Sequence, residues 1–344
     1  MKALFLGLGG IGQRHLRNLL KVIPSAEIGA VRYGNRKFEI SDDLSTDKKI
    51  NIEKKYKIRK FEDLGQAINW QPDMAIISSP SHYHIEPATK LVENHIPVLL
   101  EKPISHDREG LDRLVHLSEK NKTFVMVGYM LRFHPGIKNL FSALEEKIIG
   151  KIYSAQFTLC TNMPAWHPYE KYTDLYASRK ELGGGVILTC IHPVDLIYAI
   201  FGLPEKLYTI GGKVSVYDIN VEDTVITLFD YNLSGNNLPI SLNMSFVERP
   251  LKHTISIWGE KGQLSWSEIT GCLTVRNEDT GKTREFKNNN FKRNDMFLSE
   301  MVHFLDCIKF KKTPITNLSE IVDGHKMALN MKASLENKKP FTYK

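Results

Sequence analysis

Absences in the sequence exclude several classes of protein. The 344 residues contain no apolar run near the roughly 20 residues that a membrane-spanning helix requires, so we expect no membrane partner. The four cysteines are widely separated and form no C-x-x-C pair, which argues against a zinc site and against a disulfide framework. The first residues lack the pattern of a secretory signal peptide. These features predict a cytoplasmic protein without a metal site.

The chain has few features of a nucleic-acid-binding protein, although its formal net charge is +7. The Lys and Arg residues are not concentrated in one predicted helix or face, so a lysine-rich surface explains the charge better than nucleic-acid binding does. A modest positive bias also suits an anionic cofactor or a phosphorylated substrate. The length is sufficient for two domains with separate cores.

A glycine-rich motif follows the first predicted strand. Lys2 to Leu6 is a short apolar run, and Gly7-Leu8-Gly9-Gly10-Ile11-Gly12 leads from it into a helical pattern. This order predicts a dinucleotide-binding site rather than an ordinary glycine-rich turn. Gly7 allows a tight turn, Gly9 leaves room for a pyrophosphate, and Gly12 allows the helix to pack against the strand. The free N–H groups at the helix start would bind the phosphates.

Basic residues follow the second predicted strand, at the place where an acidic residue commonly binds the adenosine ribose. The strand ends at Arg32 and Tyr33, and the loop continues through Asn35, Arg36 and Lys37. Because an arginine can bind a 2′-phosphate that an acid would repel, we expect NADP in preference to NAD. The alternative is that these residues form only a solvated loop.

Apolar strands alternate with helical patterns in the first part of the chain. This alternation predicts a doubly wound parallel sheet, a Rossmann domain, for residues 1–125. Ser105 is predicted to be the N-cap of one of its helices. The predicted strands lie at residues 2–6, 28–33, 56–59, 73–79, 97–100 and 123–129.

The pattern changes after Lys151, where several segments alternate apolar and polar residues. Such alternation is typical of a sheet with one solvated face, so residues 126–344 are predicted to form an α+β domain with a large, mostly antiparallel sheet. The predicted strands lie at 152–159, 222–229, 240–246, 253–258 and 263–266, and the closing helices at 294–307 and 319–337.

Several short motifs occur in order between the N-terminus and Asp195. They are Gly7 to Gly12, Ser79-Pro80 with His84, Glu101-Lys102-Pro103, Arg132-Phe133-His134-Pro135, and Gly183-Gly184-Gly185 followed by His192 and Asp195. With these motifs the chain resembles the Gfo/Idh/MocA oxidoreductases, the family of glucose–fructose oxidoreductase and inositol dehydrogenase. The segments 12–19 and 176–183 are most similar to members associated with bacterial sugar-nucleotide and surface-polysaccharide pathways.

The resemblance implies a function and an assembly. It implies hydride transfer between NAD(P) and a hydroxyl or keto carbon of a sugar or nucleotide sugar. It also implies a homo-oligomer, a dimer or tetramer, formed through the open face of the second sheet.

Lys102 is the first catalytic candidate. It follows a predicted strand of the parallel sheet, and ligands of such sheets lie beyond the carboxyl ends of the strands. A lysine is a poor base at its free pKa of about 10.4. Burial and a nearby cation lower that pKa, or the charged amine stabilises a developing alkoxide. The resemblance implies that Lys102 is the active-site lysine; otherwise it is a surface lysine beside Glu101.

His192 is the second candidate, because an imidazole can accept and return a proton near neutral pH. Many members of the family carry an Asp three or four residues before this histidine, whereas this chain has Leu188 and Thr189 there. Thr189 cannot carry charge. Asp195 would lie on the same helical face as His192. Either Asp195 and Thr189 together bind the substrate, or the catalytic set is incomplete.

Other residues are candidates for binding. His84 is predicted either to approach the nicotinamide or to cap its own helix, and the aromatic loop at 166–176 either stacks on a sugar ring or packs as a lid. The predicted cofactor-binding residues are Gly7, Gly9, Gly10, Ile11, Gly12, Arg32, Ser79, Pro80, His84, Glu101 and Lys102. The predicted substrate-binding residues are Arg132, Trp166, Tyr172, Thr189 and Asp195.

Three functions are compatible with these residues. The first is a dehydrogenase or reductase. The second is a regulatory protein that binds cofactor and sugar without turnover, which the missing Asp would favour. The third is a glycosidase that uses tightly held NAD in a transient oxidation.

Overall fold

The computed structural model describes residues 1–32, 36–233 and 235–343. Tyr33 and Asn35, two of the residues proposed to follow the second strand, lie outside the described residues.

The first half of the chain forms alternating strands and helices. The strands are β1 (Lys2–Leu6), β2 (Glu27–Val31), β3 (Phe38–Ile40), β4 (Thr46–Asn51), β5 (Arg59–Phe61), β6 (Met74–Ile77), β7 (Val98–Leu100) and β8 (Val125–Val127). The helices are α1 (Gly10–Val22), α2 (Ile52–Lys55), α3 (Leu64–Asn69), α4 (Ile85–Glu93), α5 (Leu111–Lys120) and α6 (Pro135–Glu145).

Six of these strands form a parallel sheet in the order β5-β2-β1-β6-β7-β8. The order reverses direction at β1, which is the doubly wound arrangement that places a ligand at the carboxyl edge beside β1. β1 and β6 to β8 are almost completely buried, as expected for strands covered on both faces. The predicted Rossmann domain is confirmed.

The second half of the chain forms a larger sheet. Its strands are β9 (Ile152–Asn162), β10 (Lys206–Gly212), β11 (Thr224–Leu233), β12 (Asn236–Ser245), β13 (Val247–Gly259), β14 (Gly262–Ser267), β15 (Cys272–Asn277), β16 (Lys282–Phe286) and β17 (Phe341–Thr342). Its helices are α7 (Val186–Thr189), α8 (His192–Phe201), α9 (Arg293–Phe310) and α10 (Leu318–Asn337).

These nine strands pair in the order β16-β15-β14-β13-β9-β12-β11-β10-β17. In the described part of the chain only β9 and β12 pair in parallel, and the other neighbours are antiparallel. One face packs under α8 and α10. The other face leaves large apolar side chains exposed, among them Ile210, Ile226 and Leu228. The predicted mostly antiparallel sheet with one uncovered face is confirmed.

Hydrogen bonds join the two halves of the chain at β8 and between α1 and α9. The backbone N–H of Val127 donates to the carbonyl oxygen of Thr316 at 2.9 Å, and the Thr316 hydroxyl donates to the carbonyl of Val127 at 2.7 Å. Asn18 of α1 and Asn294 of α9 also exchange side-chain hydrogen bonds. The domain boundary after residue 125 stays a prediction, and it falls inside β8.

Several local predictions were wrong. The helix assigned to Ser105 begins at Leu111 after Gly110, which has φ +70°, and the Ser105 hydroxyl instead contacts His325 Nε2 at 3.0 Å. The short strand predicted at 56–59 lies at Arg59–Phe61. The sequence interpretation also missed the β3–β4 hairpin and the strands β10, β15, β16 and β17.

No single helix among the described residues is long and apolar enough to cross a membrane. One bent pair, Lys180–Thr189 with His192–Phe201, reaches the required length and composition only when both pieces are taken together.

Candidate functional site

The glycine motif has the geometry that a phosphate-binding turn requires. Gly7 has φ +96°, and a Cβ there would lie 2.9 Å from backbone atoms of Ser78. A Cβ on Gly12 would lie 2.6 Å from the Gly7 carbonyl oxygen. A Cβ on Gly9 would meet no atom of the described chain within 4 Å. The first and last glycines therefore allow close packing, and the middle one faces open space that suits a pyrophosphate.

Helix α1 begins at Gly10, and its N-terminus has no side-chain cap. The first N–H groups of such a helix point away from it without intrahelical partners and attract negative charge. This end of α1 therefore fits the phosphates of a dinucleotide.

Two of the basic residues after β2, Arg32 and Arg36, are already paired with acids. Arg32 Nη1 lies 2.8 Å from Glu53 Oε1, and the two side chains are only 11% and 10% exposed. Lys60 Nζ lies 3.5 Å from the other oxygen of Glu53. Arg36 forms an ion pair with Glu170 of the second half of the chain. A 2′-phosphate would have to compete with both carboxylates.

His84 connects two strand ends. Its Nδ1 lies 2.9 Å from the Pro103 carbonyl oxygen and its Nε2 lies 2.8 Å from the Ser79 carbonyl oxygen. The ring is buried, and burial lowers its pKa. The side chain does not cap α4, so that alternative is wrong. A neutral imidazole has one N–H and can donate to only one of these carbonyls at a time, so His84 packs the Ser79-Pro80 turn against Pro103 with one hydrogen bond.

Lys102 reaches from the parallel sheet into the second domain. The Lys102–Pro103 peptide bond is cis. The Lys102 Nζ atom donates a hydrogen bond to the backbone carbonyl oxygen of Thr189 at 2.8 Å. The ammonium group therefore lies where the two domains meet, beside the segment that carries His192.

Glu101 anchors the same turn from the other side. Its Oε1 atom lies 2.7 Å from His15 Nε2 on α1, and its Oε2 accepts a hydrogen bond from the Lys102 backbone N–H at 3.1 Å. Glu300 of α9 is fully buried, and burial together with the charge of Glu101 raises its pKa well above the ordinary value. His15 and Glu300 were missed, although a buried His one turn after Gly12 follows from the helix period.

His192 is the first residue of α8 and is 6% exposed. Neither of its ring nitrogens has a hydrogen-bond partner within the described part of the chain. Burial, and then the charge of Lys102, hold the pKa of His192 well below its ordinary value. The Thr189 hydroxyl is likewise buried without a described partner. Unpaired buried polar groups are rare and costly, so these atoms suit hydrogen bonds to a ligand.

Arg132 and Asp195 bind each other. The guanidinium donates from Nε to Oδ2 at 2.7 Å and from Nη2 to Oδ1 at 2.9 Å. The two side chains are 14% and 2% exposed. This bidentate geometry uses donors and acceptors that the substrate-binding prediction assigned to a ligand. Substrate contacts by these two residues stay a prediction.

The aromatic loop packs mainly on its own domain. Trp166 Nε1 donates to the Thr161 hydroxyl at 2.8 Å, and its ring meets Phe246 edge to face. The Tyr172 hydroxyl accepts from the Asp218 backbone N–H at 3.2 Å. These contacts hold both side chains within the second domain, and the two alternatives for the loop, stacking on a sugar ring and packing as a lid, stay predictions.

Within the described residues, no group of three or more His, Cys, Asp or Glu side chains could hold a metal ion.

Comparison with known proteins identifies the family. Residues 1–129 match the model of the oxidoreductase family with an NAD-binding Rossmann fold, and residues 137–265 match the GFO/IDH/MocA C-terminal domain. The chain belongs to the Gfo/Idh/MocA oxidoreductases. This is an NAD-dependent oxidoreductase family, and the resemblance expected from the motifs is confirmed.

Two curated relatives are similar to this chain over most of its length. Myo-inositol 2-dehydrogenase of Thermotoga maritima is 26% identical over 349 residues, which cover 97% of this chain and 96% of that protein. 2,7-Anhydro-N-acetylneuraminate hydratase of Mediterraneibacter gnavus is 24% identical over 274 residues, 78% of this chain and 68% of that protein.

A similar solved structure is the WlbA dehydrogenase of Bordetella pertussis in complex with NADH and UDP-GlcNAcA. It superimposes with a TM-score of 0.78 at 18% identity and covers 100% of this chain and 99% of its own. At this identity the likeness shows the shared two-domain fold.

Proposed function

We propose that the protein transfers a hydride between a nicotinamide cofactor and a hydroxyl or keto carbon of a nucleotide-linked sugar. The observation that carries this proposal is the meeting of Lys102 from the first domain with the Thr189–His192 segment of the second domain. The similar WlbA dehydrogenase, which was solved in complex with NADH and UDP-GlcNAcA, supports the substrate class.

The bound cofactor would supply the hydride acceptor or donor. The hydroxyl proton of the substrate must also move, and His192 has a neutral imidazole with unpaired nitrogens that can accept it. Lys102 lies beside this imidazole, and its ammonium group can stabilise the developing alkoxide. The Thr189 hydroxyl can orient the substrate through a hydrogen bond.

The cofactor is proposed to be NAD rather than NADP. The basic residues by themselves favour NADP, but Arg32 and Arg36 each have a carboxylate partner. To reach the guanidinium groups, a 2′-phosphate would have to displace Glu53 and Glu170 from these ion pairs. Binding of NAD requires neither change. Comparison of the dissociation constants of NADH and NADPH tests this choice.

The assembly is proposed to be a homo-oligomer formed through the open face of the nine-stranded sheet. Tyr208 lies opposite Leu228, and Ile210 lies opposite Ile226, so four large apolar side chains are adjacent on β10 and β11. A second copy of this chain presents the same apolar surface, as a two-fold interface requires. Leu228→Glu should reduce the molar mass measured by light scattering, and an unchanged mass would contradict the proposal.

We also propose a cytoplasmic location, which the four unpaired cysteines support.

The activity can be tested by following nicotinamide absorbance while a panel of nucleotide sugars is added with NAD. Net formation of NADH is the expected result, and His192→Ala should lose most of it. Sugar release without net reduction would support the NAD-dependent glycosidase instead. Tight binding without turnover of any sugar would support the regulatory protein.

A further inference from the structure

Tyr169 lies above the start of α1, although it belongs to the segment that follows β9 of the second domain. Its hydroxyl oxygen is 3.0 Å from the position that a Cβ on Gly10 would occupy. Gly10 is the first residue of α1, at the uncapped end that fits the phosphates. A phenol of the second domain therefore faces the phosphate-binding turn of the first.

Three neighbours hold the Tyr169 ring in this place. The Arg36 guanidinium lies 5.3 Å from the ring centroid, and the His167 ring stacks on it with a centroid distance of 5.1 Å and an interplanar angle of 12°. Glu170 forms an ion pair with Arg36 and accepts a hydrogen bond from His167 Nδ1 at 2.8 Å. We call Arg36, His167, Tyr169 and Glu170 the clasp.

The clasp presents a protonated phenol and a neutralised carboxylate to the phosphate-binding turn. Burial first, and then the charge of Glu170 and a hydrogen bond from the phenol to that carboxylate, raise the pKa of Tyr169 to about 12, so its phenol keeps a proton at neutral pH. Burial opposes ionisation of Glu170, but the hydrogen bonds from His167 and Arg36 outweigh it and lower the pKa of Glu170. Glu170 is therefore charged and neutralised by Arg36, which limits its repulsion of a nearby phosphate.

We propose that Tyr169 binds the cofactor: its phenol turns its hydrogen bond from Glu170 to the pyrophosphate, while the Arg36–Glu170 ion pair holds the ring over Gly10. The pyrophosphate would then have donors on two sides, the N–H groups at the start of α1 and the Tyr169 hydroxyl. The space over Gly9 that contains no described atom provides room between them. Cofactor release then requires the clasp to open, which breaks a partly buried ion pair and slows dissociation.

The test compares binding of NADH and of ADP-ribose, which shares the pyrophosphate but lacks the nicotinamide. Tyr169→Phe keeps the ring and removes only the donor. We expect it to weaken both ligands by about tenfold, as the loss of a hydrogen bond to a charged group predicts. Glu170→Gln keeps a hydrogen-bonding side chain without the charge, and we expect it to raise the NADH dissociation rate several-fold in stopped-flow fluorescence.

Tyr198→Phe is the matched control, because the Tyr198 hydroxyl donates to the Glu320 carbonyl oxygen on α10 and lies outside the clasp. It should bind both ligands as the wild type does. Unchanged affinity of Tyr169→Phe for both ligands, or an unchanged NADH dissociation rate of Glu170→Gln, would overturn the clasp proposal. If the wild type itself did not bind NADH, that result would contradict cofactor binding by this chain, which is a different outcome from failure of the clasp proposal.

Discussion

The Lys102 ammonium group donates to the Thr189 carbonyl oxygen at 2.8 Å, so a side chain of the parallel sheet is held by the segment that leads to His192. Because 87 residues separate the two in sequence, only the assembled fold brings them together. Domain packing therefore builds the candidate site.

Replacement of Lys102 tests its catalytic role. Lys102→Met should lower kcat by about 10²- to 10⁴-fold, since an acid–base or charge-stabilising group contributes on that scale. The NADH dissociation constant should change little, because the glycine motif is intact. Steady-state kinetics and fluorescence titration measure the two quantities.

A matched lysine provides the control. Lys90 on α4 is exposed and pairs with Glu86, four residues away on the same helix. Lys90→Met should keep the wild-type kcat. If Lys102→Met also turned over substrate normally, Lys102 would be a surface lysine, as the alternative interpretation holds.

Variants of the Arg132–Asp195 pair test whether these residues stabilise the fold, bind the substrate, or do both. Asp195→Asn leaves a largely buried guanidinium without its charge partner, and we expect a loss of about 3–5 kcal/mol in the free energy of unfolding. The double variant Arg132→Met with Asp195→Leu should recover most of this loss. Urea denaturation measures both.

Steady-state kinetics of the double variant then test whether Arg132 and Asp195 contact the substrate. A stable double variant with an increased KM and normal NADH binding would support the predicted contact with the substrate. A normal KM would leave Arg132 and Asp195 with a structural role alone.

Two glycines of the same turn should respond differently to alanine. Gly7→Ala forces a Cβ to within 2.9 Å of the Ser78 backbone at φ +96°, so we expect a loss of roughly 1–3 kcal/mol in stability. Gly9 has φ −72° and open space, so Gly9→Ala should change stability by less than about 0.5 kcal/mol. It should weaken NADH binding, because its methyl group enters the space of the pyrophosphate.

Thermal denaturation and NADH titration of both variants check this contrast. Normal NADH affinity in Gly9→Ala would show that the pyrophosphate does not pass over this residue.

Buried imidazoles should make the protein sensitive to acid. His325 is fully buried, and burial, followed by the charges of His84 and Arg108, lowers its pKa to about 3. An unfolded histidine titrates near pH 6.5, so between about pH 6.5 and pH 3 the unfolded state binds one more proton than the folded state. Stability therefore falls as the pH falls, by about 2 kcal/mol from this group between pH 7 and pH 5.

The measurement is the free energy of unfolding in urea at pH 7 and pH 5. His325→Gln should lose about 2 kcal/mol less than the wild type over this interval. His116→Gln, at an exposed position on α5, serves as the control and should behave as the wild type does. Equal pH dependence in His325→Gln and the wild type would contradict the expectation.

Local signals predicted the parts of the fold that depend on nearby residues. The strand, glycine turn and helix at the N-terminus follow from backbone sterics within a dozen residues. The strands β6, β7 and β8 are continuous apolar runs, which marks them as buried. By contrast, β4 carries Asp47, Lys48 and Lys49 on a small hairpin at the surface, so it gave no apolar signal.

The sequence alone could not predict ion pairs between residues that are distant along the chain. The sequence around Arg32 does not show that Glu53 pairs with it. Likewise, the sequence around Arg132 does not show that Asp195, 63 residues further along the chain, binds its guanidinium group. Both partners are chosen by which strand ends and helices meet, so a single sequence identifies the charged residues but not their ion pairs.

The contact of Thr316 with Val127 joins residues 189 positions apart. During synthesis the ribosome releases β8 long before Thr316 and Asn317 emerge to cover its outer edge. Until these residues emerge, the nascent N-terminal half has an exposed strand edge at β8. Exposed strand edges can form hydrogen bonds with other chains, which leads to aggregation. A fragment ending near residue 130 is therefore expected to aggregate when it is expressed alone.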